Sequence, residues 1–215
     1  MPEMTTGDVD IIDKRREFES YVRVDRYILK HKLFDGGQSA KISREVLDRG
    51  HAAAVLLYDP DLDLLVMIEQ FRAGAFAALK SGLMPAGDTP WLVECVAGII
   101  EDGENPEDVV RREAVEEADC VIRELVPLYH YYSSPGCLSE SVFLFCGRVD
   151  ARGAGGIHGI ENEGEDIRVF TVTPEQAISR LKMGRINNSM TMIALQWLDV
   201  NRENLRREWR TPSGS

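Results

Sequence analysis

The sequence lacks any run of about 18 consecutive apolar residues, which excludes a membrane-spanning helix on length alone. Cysteine is scarce. Cys95, Cys120, Cys137 and Cys146 form no C-x-x-C pair, which argues against a zinc centre, and three of them lie in or beside apolar runs, so reduced, packed thiols are expected. The histidines His31, His51, His130 and His158 are scattered, with no ligand spacing. Cationic residues are in deficit: 25 Lys and Arg against 36 Asp and Glu leave a formal net charge of −11. That balance opposes a nucleic-acid partner, whose backbone binds through bulk positive charge. An acidic chain acting on an anionic substrate needs divalent cations to invert the local field. The opening stretch MPEMTTGDVDIIDKRREFE carries charges where a secretory signal has its apolar core, so the expected compartment is the cytoplasm, with no membrane partner.

What the chain does have is 215 residues with 44% hydrophobic content, enough for one sizeable domain plus a small extra element. Residues 1–17 read as a loose lead-in. Alternation over 21–34 reads as a strand, Asp35-Gly36-Gly37 as a hairpin turn and 41–49 as the return strand. A small antiparallel sheet of this kind buries little alone and must pack on the rest of the chain or on a second copy. We therefore divide the chain into an N-terminal region, 1–50, and a main domain, 51–215.

From His51, HAAAVLLYD and LLVMIEQF read as two buried strands joined at Pro60-Asp61. The Gly-, Ala- and Pro-rich stretch 73–90 reads as a long loop with room for one helical turn, and Trp91–Ile100 as one strand. Residues 106–118 read as a helix, 122–131 and 141–149 as strands, 151–166 as a glycine-rich then acidic loop, and 167–172 as a last strand. Two helices close the chain. The first opens on the capping signal Thr173-Pro174-Glu175-Gln176, and the second starts near Ser189 with Ile193, Trp197 and Val200 on one apolar stripe. Strands, helix, strands, helices imply an α+β fold, an α/β/α sandwich around a mixed sheet.

The densest chemistry lies in GIIEDGENPEDVVRREAVEEADC, residues 98–120. Asn105 suits an N-cap, Pro106 the first turn, and Glu107 and Asp108 the positive end of the helix dipole. Glu113 and Glu117 are four apart and Glu116 is three from Glu113, so the three carboxylates share one neighbourhood of the helix surface. Val109, Val110 and Ala114 can seat the helix on a sheet. Like charges at this spacing repel, and a hard divalent ion removes the repulsion. A solvated acidic face is the alternative for such a helix taken in isolation.

The flanking residues decide between the two. This stretch resembles the Nudix box, G-x5-E-x7-R-E-U-x-E-E-x-G-U, with U apolar. Gly98, Glu104, Arg112-Glu113, Ala114 and Glu116-Glu117 fill its positions, and Cys120 takes the last apolar one. Asp119 departs from the pattern, standing where the box has a glycine just past the helix. That position is often left-handed, and Asp adopts it at some cost. The resemblance implies a Nudix fold and a loop–helix–loop holding two or three Mg²⁺ against a pyrophosphate, with Mn²⁺ left open as a replacement. It implies Glu113 and Glu117 as principal metal ligands, Glu116 close by, and the Ala97 carbonyl as a further ligand. Arg112 would orient carboxylates by bidentate pairing, and Glu104 would support that network.

Most of the chain, about Tyr21 to Trp209, is similar to the bacterial ADP-ribose pyrophosphatase subfamily. The match adds Ser134-Pro135-Gly136 and Glu140 downstream of the box and the acidic stretch Glu161–Asp166. It implies Glu163 as general base for the attacking water, Glu165 as a metal ligand, and Tyr21, Arg44, Arg72, Ser134, Gly136 and Glu140 at the substrate. A gap-prone loop leaves Glu161 as the alternative to Glu163. It also implies a homodimer that exchanges the N-terminal region, and a small nucleotide-sugar substrate, ADP-ribose before GDP-mannose. A non-catalytic domain that senses ADP-ribose is the rival from another class. The long stretch 73–90 leaves terminal-ribose specificity open.

Overall fold

The structure is a computed structural model that describes residues 3–82, 87–160 and 164–210. The chain forms two compact units, one made of the residues up to His51 together with Tyr132–Ser141, the other of Ala52–Tyr131 with the residues from Val142 onward.

The first unit is built on a three-stranded antiparallel sheet, β1 (Val9–Glu19), β2 (Arg23–His31) and β3 (Ile42–Asp48), in that order. A one-turn 3-10 segment, Thr6–Asp8, closed by a capping box from Thr5, precedes β1. The expected lead-in is therefore largely a strand. Its pairing with β2 slips between Ile11 and Asp13 and again between Arg16 and Phe18. Each slip is a bulge that throws side chains out of the two-residue period, which is why alternation does not betray the strand. Asp25 is buried on β2 and takes ion pairs from Lys14 and Arg16. The segment 132–141 joins this unit at β3: Leu47 N–H donates to the Cys137 carbonyl at 2.8 Å, and Ser139 N–H returns to the Leu47 carbonyl at 3.0 Å.

The second unit is an eight-stranded mixed sheet between helices. Its order is β10 (Gly156–His158), β11 (Ile167–Val172), β5 (Leu64–Phe71), β4 (His51–Asp59), β9 (Ser141–Arg148), β8 (Glu124–Tyr132), with β6 (Trp91–Glu94) on β5 and β7 (Val96–Ile100) on β4. β4 and β9 run parallel, with Ala52 opposite Val142, while β4–β5 and β5–β11 are antiparallel. The expected single strand over 91–100 is two strands, broken at Cys95, each pairing with a different neighbour. Stretch 73–90 opens with a helix, α1 (Ala73–Lys80), more than the single turn expected. It buries no residue, and alanine propensity accounts for it better than packing does. The glycine-rich loop contains the short β10.

Strand alternation divides the core in two. One face carries Ala53, Val55, Leu57, Val66, Ile68, Val96 and Val169 and receives α2 (Pro106–Ala118) through Val109, Val110 and Ala114. The other face carries Leu56, Tyr58, Met67 and Leu144. It receives α3 (Pro174–Lys182) and α4 (Ser189–Arg210) through Ala177, Ala194, Leu195, Leu198 and Trp209. This is the expected α/β/α sandwich. Thr173 and Gln176 form the expected capping box. Ile193 and Trp197 pack against the core, but Val200 is 82% exposed: the buried stripe runs through Leu195, Leu198 and Leu205 instead. Cys95, Cys120 and Cys146 are buried and free, whereas Cys137 is exposed. Among the described residues no helix is long and apolar enough to cross a membrane.

Candidate active site

Helix α2 begins where its local signals place it. Asn105 accepts from Glu107 N–H at 3.1 Å, Pro106 occupies the first turn, and Glu107 and Asp108 lie at the positive end of the dipole. It ends at Asp119, whose φ of 50° and ψ of 38° are left-handed, and whose N–H returns to Ala114 and Val115. The conformation expected of a glycine is thus held by an aspartate.

The sheet-facing edge of α2 buries Ala114, Glu117 and Ala118. Glu117 is 4% exposed, and among the described residues its one hydrogen bond is from Ala97 N–H on β7, at 3.3 Å. Burial, reinforced by the Glu113 charge, pushes its carboxyl up to about 8, against the opposing pull of the Ala97 N–H and of Arg72. Glu113 is also raised, first by burial and further by the charges of Glu116 and Glu165, while Arg112 pulls it down. Arg112 bridges three carboxylates: Nη1 meets Glu113 at 2.8 Å and Glu116 at 3.0 Å, and Nη2 approaches Glu104 at 3.6 Å. The expected bidentate pairing is replaced by this bridge. Glu104 in turn accepts from Glu101 N–H at 2.9 Å, tying the loop before α2 to the same arginine.

Glu165 lies just before β11 and accepts from Ile160 N–H at 3.1 Å. Its charge raises both Glu113 and Glu117, so the three carboxylates sit within electrostatic reach of one another. Among the described residues no three His, Cys, Asp or Glu side chains are yet close enough to form a ready cation cage. Glu113 is engaged by Arg112 and Glu117 by Ala97. The donor chemistry nevertheless fits a hard divalent ion: buried carboxylates at four-residue spacing with too few protein cations to balance them. Glu163, expected as general base, lies outside the described residues, as does its alternative Glu161.

Arg72 follows β5 and donates from Nε to Glu94 at 2.8 Å. Sequence reading missed Glu94. It is buried, with its carboxyl raised by burial against the pull of Arg72. The available signal was a lone acid inside the apolar run WLVECV.

The remaining expected residues belong to the first unit. Tyr21, in the turn between β1 and β2, is 80% exposed. Arg44 on β3 lies opposite Tyr27 and bonds the Ser43 carbonyl at 2.8 Å. Ser134 and Gly136 form a turn in which the Ser134 carbonyl accepts from Cys137 and Leu138 N–H at 3.2 and 2.9 Å. Glu140 is buried, accepting from Ser133 Oγ at 2.7 Å and pairing with Arg49 at 3.3 Å.

A NUDIX domain model matches residues 48–192, two thirds of the chain and all of the carboxylate helix. The chain belongs to the Nudix family. The ADP-ribose pyrophosphatase of Escherichia coli (strain K12) is 43% identical over 203 residues, covering 94% of this chain and 93% of that protein. The ADP-ribose pyrophosphatase of Haemophilus influenzae is 41% identical over 203 residues, covering 94% and 91%. The GDP-mannose pyrophosphatase of Enterobacter sp. (strain 638) is 33% identical over 180 residues, covering 81% and 89%. A crystal structure of an ADP compounds hydrolase superposes with a TM-score of 0.67 at 16% identity, covering 97% of this chain and 100% of that one, which supports the Nudix fold. In this Nudix chain the box helix is α2, and its Arg112 bridge, Gly98 and left-handed Asp119 are the local devices that shape it.

Proposed function

We propose that this Nudix protein hydrolyses the pyrophosphate bond of ADP-ribose to AMP and ribose 5-phosphate. The observation that carries the proposal is the Glu113–Glu117 pair on α2, with Glu117 buried against the Ala97 backbone and nearly unpartnered. Two relatives above 40% identity over 94% of the chain bear the name ADP-ribose pyrophosphatase, which supports this substrate first. The GDP-mannose pyrophosphatase relatives, at lower identity, support a second reading in which another nucleoside diphosphate sugar is cleaved.

In this reading Glu113, Glu117, Glu165 and the Ala97 carbonyl hold two or three Mg²⁺, and Mn²⁺ is a substitute to be tested. When bound, such ions neutralise phosphate charge and acidify a water molecule. The chain's own groups do the rest. Arg112 fixes the orientation of Glu113 and Glu116 through its bridge. Arg72, anchored by Glu94, offers a guanidinium to the anionic substrate. Glu163 takes the proton from the attacking water. Tyr21 stacks on adenine, and Arg44, Ser134, Gly136 and Glu140 are further substrate contacts in the same reading. The assembly is a cytoplasmic homodimer in which the N-terminal sheet is exchanged between copies, with no nucleic-acid or membrane partner.

The test is a panel of ADP-ribose and GDP-mannose offered side by side with Mg²⁺, with AMP and GMP measured. AMP release from ADP-ribose is expected to dominate, and Glu117→Gln to abolish nearly all of it. Faster GMP release would move the protein to the second reading, and full turnover by Glu117→Gln would discard the assignment of the metal ligands.

A further inference from the structure

Gln70 carries an unpartnered polar group on the sheet face that receives α2. Strand β5 sends Val66 and Ile68 into the core beneath α2, so the two-residue period puts Gln70 on that face as well. Across the β5–β6 ladder Gln70 lies opposite Leu92, and Ile68 opposite Glu94. Arg72, the next residue on that face, reaches Glu94 at 2.8 Å and acts on the Glu117 carboxyl. Gln70 is 7% exposed, and its Nε2 is fully shielded, without a hydrogen-bond partner among the described residues.

A buried, unpaired amide is costly, whereas a methionine would fill the same space without that penalty. An acceptor brought in by a ligand would remove that cost, and the described residues supply none. Among the described residues Glu94 is bonded by Arg72 and Glu117 by the Ala97 N–H, and neither is bonded by Gln70. Gln70 near the end of β5 and Arg72 just past it are two donors two residues apart, beside a site that in the proposed reading takes in anionic oxygen. The terminal torsion of glutamine is broad and soft, so the N–H can turn to meet an incoming group.

We infer that the Gln70 carboxamide is a substrate-binding group that donates to a phosphate oxygen of the diphosphate. The inference rests on the pyrophosphatase reading above and adds to it a donor on the sheet side of the site.

The test uses the full chain with Mg²⁺ and methylenediphosphonate, a diphosphate that cannot be hydrolysed, alongside ADP-ribose turnover. Gln70→Met is expected to melt at or above the wild-type temperature. Its affinity for methylenediphosphonate is expected to fall about tenfold, as for one lost hydrogen bond to a charged acceptor, with a similar fall in kcat/KM. Gln70→Glu, which keeps the shape but replaces the donor with an acceptor, should lose more. Affinity of both variants within about twofold of wild type would overturn the role of Gln70. A wild-type protein that binds methylenediphosphonate but leaves ADP-ribose intact would refute the substrate alone, and the variant comparison would still decide on Gln70. A wild type blind to methylenediphosphonate would refute both.

Discussion

The Glu113 side chain lies across the backbone of Gly98: a Cβ built at Gly98 would sit 1.9 Å from Glu113 Oε1, 2.3 Å from Cδ and 2.5 Å from Cγ. No real Cβ tolerates such distances. The glycine is therefore a spatial requirement of the carboxylate, and its conformational freedom is secondary. Gly98→Ala must displace Glu113 by roughly the width of a methyl group. Misplacements of about 1 Å cost on the order of 100-fold in rate, so kcat/KM should fall by at least that factor. Seating of α2 through Val109, Val110 and Ala114 is untouched, and far-UV circular dichroism should not change. A Gly98→Ala enzyme with near wild-type kcat/KM would show that Glu113 does not act from this position.

What could be read from the sequence depended on how local its cause was. The limits of α2 and its cap at Asn105 are set within one stretch of chain, so local signals exposed them. Even the left-handed Asp119 follows from its place at a helix end. Strand β1 escaped because its two bulges destroy the alternation that marks a strand, and because its face is largely exposed. The break at Cys95 escaped because WLVECVAGII is apolar apart from Glu94, and only the sheet order divides it between β5 and β4. The Arg72–Glu94 pair spans 22 residues and the Asp63–Arg202 pair 139; no periodicity links them.

Arg112 holds Glu113, Glu116 and Glu104 together from one planar group. A lysine has one compact ammonium and cannot reproduce that fork. Arg112→Lys should therefore behave as a positioning defect. We expect a 10- to 100-fold increase in the Mg²⁺ concentration needed for half-maximal activity, the usual range for groups that orient metal ligands, with partial recovery at high Mg²⁺. An unchanged Mg²⁺ dependence would mean that the bridge is incidental.

Asp119 occupies left-handed space in which an L side chain costs roughly 1 kcal/mol. Asp119→Gly removes that cost and should stabilise the protein by about this amount, raising Tm by about 2–4 °C for a chain of this size. Among the described residues the hydrogen bonds of Asp119 run to Ala114 and Val115 and to none of the groups assigned to catalysis, so turnover should be unaltered. A lower Tm would mean that the glycine's larger entropy loss outweighs the relief of strain.

The opposite face of the sheet offers a pH-dependent test that leaves the catalytic carboxylates alone. Asp63 accepts from Tyr58 Oη at 2.6 Å and from Arg202 Nε at 2.9 Å, and pairs with Arg206 at 3.0 Å. Burial pushes its carboxyl up, but the hydrogen bonds from Arg202 and Tyr58 and the two arginine charges outweigh it and hold the group below its ordinary value. A carboxyl depressed in the folded state binds its proton more readily once unfolded. Its stabilising contribution is therefore complete above the unfolded value, about 4, and disappears as pH falls through the lower folded value. Asp63→Asn should cost about 2 kcal/mol at pH 7, the range for a charged hydrogen bond in a partly buried site. The difference between wild type and variant should stay constant from pH 7 to about pH 5 and shrink below pH 4. Urea denaturation of both proteins across that range measures it. A difference that persists undiminished into strong acid would mean that Asp63 contributes through its shape and its turn, with no part played by its charge.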